Sequence, residues 1–417
     1  MNPQALIITW ATPAFFLLIA IEWLVARGRG RDAYAGNDSV NSIGLGVLSQ
    51  IVAVFTTALT FGIYAWCAQH LALWRLPADS VATWVVALLG YDFCYYWLHR
   101  KGHEVNILWA AHVVHHQSER YNLSTALRQT GTGPLLSWIF YLPLAILGVP
   151  VEVFVIVALI DLLYQFWVHT EQIGTLGWFD RVFCSPSNHR AHHAVNDRYL
   201  DKNYGGILIL WDRLFGTFVA EDPADPPVYG TRAPLRSWNP LWANAEVYWH
   251  AWQDSRHTRR WRDKLRVWLK PPGWQPPDLA ARYPRSGFAP SRERYDPPMS
   301  RACRTYVLIQ FALLLGMANQ FLALASHAAP ASQMAYAGYL VASLWVLGGL
   351  MESRRWARWA EAVRVIATAV LPLATLRWFG VAHLDSRVAL AFALVFGASA
   401  LALVMLRADT PAMHQHA

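Results

Sequence analysis

Apolar residues in this chain run in long, nearly unbroken stretches, without the alternation of a half-buried strand or the one-in-three rhythm of a surface helix. Seven of them approach the ~20 residues a helix needs to cross a bilayer: Leu6 to Ala26, about Ile43 to Cys67, Val81 to Leu98, Tyr306 to Leu324, Ala335 to Leu350, Ala362 to Leu376 and Val388 to Leu406. Two more, Pro134 to Leu147 and Val151 to Val168, are separated only by Gly148-Val149-Pro150, which predicts a helical hairpin, either full or re-entrant. The pattern predicts an all-α, polytopic integral membrane protein with about nine transmembrane helices.

The polar interruptions divide the chain into four parts. Residues 1–80 form N-terminal transmembrane helices, 81–235 a histidine-rich core, 236–300 a basic, Trp-rich interfacial segment and Pro-rich linker, and 301–417 a C-terminal four-helix transmembrane region. The first apolar stretch is followed by Arg27, Arg29 and Arg31 and lacks the charge-first order and small-residue cleavage site of a signal peptide, so it reads as a retained anchor. The segment from Glu246 to Lys270 interleaves Trp249, Trp252, Trp261 and Trp268 with arginines and lysines; it reads as one interfacial amphipathic helix or as a basic helix packed on the core.

Composition supports the membrane reading, because only 15% of residues are charged against 55% hydrophobic, where a soluble domain carries about 25% charge. The net charge of +8 sits mainly between apolar spans and after His169, where positive-inside bias accounts for it and nucleic acid need not be invoked. Placing Arg27 to Arg31, the histidines, Arg256 to Trp274 and Arg354-Arg355 on one side makes that side the cytoplasmic face. An Arg-rich, Lys-poor composition favours a bacterial inner membrane over the endoplasmic reticulum. Cys67, Cys94, Cys184 and Cys303 are widely spread and read as small apolar fillers.

The chemistry is concentrated in histidines: nine of the 16 fall between His99 and His193. Eight form three tight groups, His99-x3-His103, His112-x2-His115-His116 and His189-x2-His192-His193. Positions i, i+3 and i+4 share a helix face, so each group is expected to aim its imidazoles at a common point. Eight ligands exceed what one ion takes, which implies two ions in a helical di-metal cap on the cytoplasmic face. Iron changes oxidation state and zinc does not, so two iron ions activating O2 at a membrane face, on a lipid substrate, is the natural inference. His169, at the end of the Val151–Val168 stretch, reads as a ninth ligand, as a hydrogen-bonding group beside the metal, or as a histidine meeting a helix C-terminus.

Other polar residues fall close to this pattern. Asp92 interrupts an apolar run, where an ionisable group is costly, and lies about two turns before His99 on the same helix face, so it is expected to face the site as a catalytic candidate. Asp92, Glu104, Glu119, Glu171, Asp197 and Asp201 are the carboxylates near enough in sequence to pair with the second ring nitrogen of a ligating histidine. Asn122, Arg128 and Gln129 follow the second group and suit a headgroup or cofactor, or else a helix cap and ordinary packing. Asp212 and Arg213 are expected to pair with each other or with a neighbouring loop.

Taken together, His-x3-His, His-x2-His-His and His-x2-His-His in a membrane protein resemble the fatty acid hydroxylase/sterol desaturase superfamily of non-haem di-iron enzymes. The runs HEVNILWAAHVVHHQSERYNLSTALRQT (103–130), LLYQFWVHTE (162–171) and NHRAHHAVNDRYLDKNYGGILILWDRLFGTFVAE (188–221) resemble its alkylglycerol monooxygenase family in particular. That resemblance implies His99, His103, His112, His115, His116, His189, His192 and His193 as iron ligands and Glu104 as an acidic site residue. It also implies hydroxylation of the ether-linked carbon of an alkylglycerol, with release of a fatty aldehyde, and tetrahydrobiopterin as electron donor. Gln117, Arg120 and Asn188 depart from the family pattern beside the ligands. The competing readings are a sterol, fatty acyl or carotenoid hydroxylase or desaturase served by a redox protein, and, in a different class, a histidine-based metal transporter or sensor.

Overall fold

The computed structural model describes residues 3–285, 288, 291, 293–324 and 327–408. Residues 325 and 326 and part of the 271–298 linker lie outside the described residues. Every one of the nine apolar stretches is helical: Pro3–Gly28, Gly36–His70, Val81–Glu104, Pro134–Leu147, Val151–Trp167, Arg301–Leu324, Pro330–Met351, Arg355–Thr375 and Ser386–Ala408. Most begin or end a few residues beyond the apolar run, because polar end residues hold their own backbone in helix once the interior is formed. Among the described residues, five of these helices are long and apolar enough to cross a membrane: Gly36–His70, Val81–Glu104, Arg301–Leu324, Pro330–Met351 and the stretch Ser386–Leu406. The chain is a mostly helical, multi-pass integral membrane protein.

The chain forms two compact units, one built mainly of residues 7–236 and 242–294, the other mainly of 295–417 with Ser237–Leu241. In the first unit the Val81–Glu104 helix packs against both arms of the Pro134–Leu147 and Val151–Trp167 hairpin. Tyr64, Tyr91, Tyr141 and Phe154 pack there with ring centroids 4.0 to 5.7 Å apart. The hairpin turn needs glycine at Gly148, whose φ of +95° is left-handed and whose added Cβ would lie 1.9 Å from the Trp74 carbonyl oxygen. At 14 and 17 residues, these two arms span only about 21 and 26 Å at 1.5 Å per residue, which is short of a ~30 Å hydrocarbon core.

The second unit holds the last four long helices. Arg355–Thr375 is tied to Ser386–Ala408 by a two-residue antiparallel pair, Arg377–Trp378 with Ala382–His383. Between these helices the Arg364 guanidinium donates twice to Glu361, at 2.6 and 2.7 Å, and once to Gln310 at 2.6 Å. Tyr306 donates to the same carboxylate at 2.8 Å. A buried ion pair of this kind is tolerated because every charged oxygen and nitrogen has a partner.

The Trp-rich segment is not one helix. It breaks at Thr258–Arg260 into Pro240–His257 and Trp261–Leu269, because Asp278 accepts from the Thr258 hydroxyl and the Arg259 N–H at 2.8 and 2.9 Å and takes the place of intrahelical bonds. The second piece carries its apolar stripe outward: Trp261, Leu265 and Leu269, at i, i+4 and i+8, are all well exposed while Asp263 and Val267 are buried. Asn106 ties it to the core through Val267 O at 2.9 Å and Lys270 O at 3.0 Å.

Candidate metal centre

The nine histidines come from four short pieces of backbone. His99 and His103 occupy the last turns of Val81–Glu104, one turn apart. His112 precedes the one-turn helix Val113–His116, and His169 follows Val151–Trp167. His189 and His192 lie on Pro186–His192, which Ser185 caps and Pro186 starts, with His193 at its C-terminal end. These pieces meet in the first unit, and the imidazoles divide into two clusters: His99, His103, His112, His116 and His192 in one, His115, His169, His189 and His193 in the other. Within each cluster the nearest ring nitrogens all lie within 4.8 Å of one another.

The spatial clusters are not the sequence groups. Pairs at i, i+4 stay together (99 with 103, 112 with 116, 189 with 193), whereas His115 and His192, at i+3, cross to the opposite cluster. Each residue advances about 100° around a helix, so i+3 and i+4 point about 100° apart, enough to face different ions when two sites are adjacent. His116 and His193 stack at 4.3 Å where the clusters adjoin.

Four imidazoles are oriented by backbone carbonyls. The Nδ1 atoms of His99, His115, His169 and His192 lie 2.8, 3.0, 2.7 and 2.9 Å from the carbonyl oxygens of Tyr204, Arg128, Gln165 and Lys202. A carbonyl only accepts, so each Nδ1 carries the proton and each Nε2 presents a bare lone pair. Most of the carboxylates expected in this role are otherwise engaged. Asp201 lies beside His103 at 3.7 Å; Asp197 pairs with Arg232, Glu104 with Arg100 and Lys101, and Glu171 accepts from Tyr229. Backbone carbonyls prevail because they are already buried beside the rings and add no charge.

These residues fit a metal. The Nε2 atoms of His99, His103 and His192 are buried with no hydrogen-bond partner. His115 and His169 bring two lone pairs to 3.1 Å, and His169–His189 and His189–His193 separations are 3.2 Å. Two facing lone pairs repel unless a cation lies between them. Metal–nitrogen bonds of about 2.1 Å set at right angles give an edge of about 3.0 Å, close to these separations. Burial, with the neighbouring imidazoles, holds His112, His116, His169, His189, His192 and His193 well below the usual imidazole range, and pushes His115 down to about 4. At neutral pH the rings are therefore neutral and able to ligate.

A pH dependence follows. His115 is lowered on folding from 6.5 to about 4, so the unfolded chain takes up a proton first as pH falls, and the stability present above about 6.5 is lost progressively towards 4. Acid titration of metal-free protein should therefore show a midpoint in thermal unfolding that drops between these values. A midpoint independent of pH across that window would contradict the burial of neutral rings.

Two aspartates hold the loop that supplies carbonyls to His99 and His192. Asp212, fully buried, accepts from Tyr204 N at 2.8 Å, Gly205 N at 2.7 Å and the Thr217 hydroxyl at 2.7 Å. Asp92 accepts from Ile207 N at 2.7 Å, Leu208 N at 3.1 Å and Trp211 Nε1 at 2.8 Å. Asp92, expected to face the site, thus commits both oxygens to clamping this loop. Asp212 does not pair with Arg213, whose guanidinium lies 3.8 Å over the Phe218 ring instead. A buried carboxylate amid several N–H donors is better satisfied by them than by one exposed guanidinium.

The residues after the second group are placed as braces. Asn122 caps the turn Leu123–Ala126 and donates to Ala33 O at 2.8 Å. The Gln129 amide donates to Ala126 O at 3.0 Å. Buried Arg128 donates to Val114 O at 2.7 Å and Asn41 at 2.8 Å, while its own carbonyl receives His115. Gly46 lets the Gly36–His70 helix approach this turn, since a Cβ there would lie 2.3 Å from Leu127 O. Asn188 donates to Asp180 O and Phe183 O at 3.1 and 3.2 Å, tying down the third group. Sequence reasoning missed Glu22, whose carboxylate accepts from Thr170 Oγ1, Leu123 N and Tyr34 Oη and so joins the first helix to both histidine segments. The signal was available: Glu22, like Asp92, interrupts an apolar span. Asp212 carried no such signal.

Comparison with known proteins agrees with this architecture. The fatty acid hydroxylase family model matches residues 84–217, and the alkylglycerol monooxygenase C-terminal domain model matches residues 303–381. The alkylglycerol monooxygenase of Danio rerio is 38% identical over 87% of this chain and 81% of its own length; that of Homo sapiens is 36% identical over 87% and 81%. The ornithine lipid hydroxylase OlsE of Rhizobium tropici is 29% identical over 42% of this chain and 51% of its own. No solved structure gives a significant match. A membrane-embedded helical core carrying converging imidazoles, joined to the matching C-terminal domain, makes the chain an enzyme of the monooxygenase class that belongs to the alkylglycerol monooxygenase family.

Proposed function

We propose that this protein is an O2-dependent di-iron monooxygenase that hydroxylates the ether-linked carbon of alkylglycerols. The observation that carries the reading is the pair of imidazole clusters, each with ring nitrogens aimed inward and outer nitrogens tied to carbonyls. His99, His103, His112, His116 and His192 would hold one iron, and His115, His169, His189 and His193 the other. Bound iron would supply the redox step that breaks an unactivated C–H bond, which acid and base side chains cannot do at useful rates.

The chain's own residues then have defined tasks. The carbonyls of Tyr204, Arg128, Gln165 and Lys202 hold the rings in the tautomer that ligates. Asp92, Asp212 and Glu22 hold those carbonyls and the His169 segment in place, and the aromatic spans keep bulk water from the site. The hydroxylated carbon bears both oxygens of a hemiacetal, whose collapse gives a fatty aldehyde and the free glycerol hydroxyl. The alkyl chain reaches the site from the bilayer, and the outward stripe Trp261, Leu265 and Leu269 seats the cap at the lipid interface.

The finer topology belongs to the same reading. Nine helices, with the 134–168 hairpin full or re-entrant, leave the histidines on the cytoplasmic face. That side is supported by Arg29 and Arg31, which donate to the carbonyls of Gln172 and Glu171 beside His169 at 2.8 Å each. We assign residues 81–235 as the catalytic core, 1–80 and 301–417 as membrane scaffolds and 236–300 as the interfacial linker, in a bacterial inner membrane. Reduced pterin, tetrahydrobiopterin in the first instance, supplies two electrons per turnover, with Glu104 as its candidate acidic contact.

Purified protein loaded with iron, alkylglycerol, O2 and tetrahydrobiopterin should release fatty aldehyde in proportion to the ether consumed. A hydroxylated product with its ether intact would overturn the ether-cleaving reading. Tight zinc without oxygen consumption would overturn the oxygenase reading.

A further inference from the structure

A second feature adjoins the histidine clusters and supplies no ligand to them. The Tyr121 ring, almost wholly buried, lies 5.5 Å from His169, at an interplanar angle of 30°, and 5.2 Å from His193. It also stacks on Tyr229, 4.9 Å away and within 16° of parallel. Tyr229 lines a polar cavity of about 470 Å³ together with Glu171, Glu119, Arg232 and Phe288. Rings in face contact therefore connect one imidazole cluster to a cavity large enough for a small organic molecule.

The two phenols differ in where their protons can go. Tyr121 donates to Val168 O at 2.9 Å, and a peptide carbonyl is too weak a base to accept a phenolic proton outright. Tyr229 donates to the Glu171 carboxylate at 3.1 Å, and a carboxylate can take it. Packing alone would be served by phenylalanine at both positions. The hydroxyl of Tyr229, paired with a carboxylate at the cavity wall, equips the outer ring to lose an electron and a proton together.

We propose that Tyr121 and Tyr229 form a proton-coupled relay that drains oxidising equivalents from the metal centre to this cavity when no lipid is bound. Tyr229 loses one electron, which crosses to Tyr121 and on to the His169 and His193 side, and its phenolic proton passes to Glu171. A small reductant of the reduced-pterin or enediol class in the cavity returns one electron to Tyr229, and Glu171 returns the proton. The protein is unchanged, the reductant is oxidised by one electron and the metal side is reduced by one. This rests on the proposed redox role of the histidine clusters.

The test uses iron-loaded full-length protein without lipid, exposed to hydrogen peroxide and frozen at intervals for electron paramagnetic resonance. Wild type should give a tyrosyl signal that ascorbate quenches. Tyr229→Phe, which keeps the stack, and Glu171→Gln should lose that signal and inactivate several-fold faster, with iron content at the wild-type value. Tyr229→Leu, which also breaks the stack, should behave like Tyr229→Phe. Equal signals and equal inactivation rates in all four proteins, with normal iron and normal aldehyde release, would overturn the relay alone. Wild-type protein that binds no iron would overturn the metal reading and the relay with it.

Discussion

His189→Ala and His192→Ala, three residues apart, should each abolish activity by disabling different metal ions. His189 sits between His169 and His193, with its Nε2 3.2 Å from both, whereas His192 belongs with His99, His103, His112 and His116. Each single variant should fall from about two irons per chain to about one, and the remaining iron should give a different spectroscopic signature in the two. The double variants separate the alternatives. His189→Ala with His193→Ala, both in one cluster, should retain one iron; His189→Ala with His192→Ala, one in each, should retain none or nearly none. If both doubles kept the same iron, the division into clusters would be wrong. Membrane retention and helical content should be unaffected, because ligands contribute little of the apolar burial that holds the spans together.

Asp212→Ala should be nearly as damaging although Asp212 touches no imidazole. Its carboxylate satisfies the N–H groups of Tyr204 and Gly205 and the Thr217 hydroxyl, all in the interior. Each orphaned donor costs about 1–3 kcal/mol, so a loss of several kcal/mol in stability is expected, read as a lower unfolding temperature in detergent. The Tyr204 carbonyl then ceases to orient His99, and iron affinity should fall about 10–100-fold. Asp212→Asn keeps the shape and one acceptor oxygen and should recover much of the stability but less of the affinity. If Asp212→Ala bound iron as tightly as wild type, the loop would not be what fixes His99.

Much of the fold was legible because membrane helices announce themselves by length and composition. The nine apolar stretches became nine helices, since an unpaired backbone is too costly in lipid for any other local choice. The break at Thr258–Arg260 was not legible: it depends on Asp278, 18 residues beyond Arg260, donating nothing to the local pattern and only meeting it in space. The hairpin arms were visible, but their shortness relative to a bilayer became plain only with both ends placed.

The site divides in the same way. Residue type and spacing marked the eight histidines, and the apolar setting of His169 marked it as unsettled. Which carboxylate or carbonyl faced each ring was beyond the reach of spacing, because such partners lie up to 105 residues away, as Tyr204 does from His99. Asn122 and Arg128 carried polar groups that suited a ligand equally well before their internal partners were known.

The sequence by itself determined that imidazoles at i and i+4 would travel together and that they would sit at or beyond the ends of apolar helices. Both follow from helix geometry and hydropathy, which are local. Tertiary structure alone decided that His115 and His192 change sides, that His169 joins the second cluster and that carbonyls rather than carboxylates orient the rings. Those outcomes depend on how four separate backbone segments meet in space, and local periodicity does not encode that meeting.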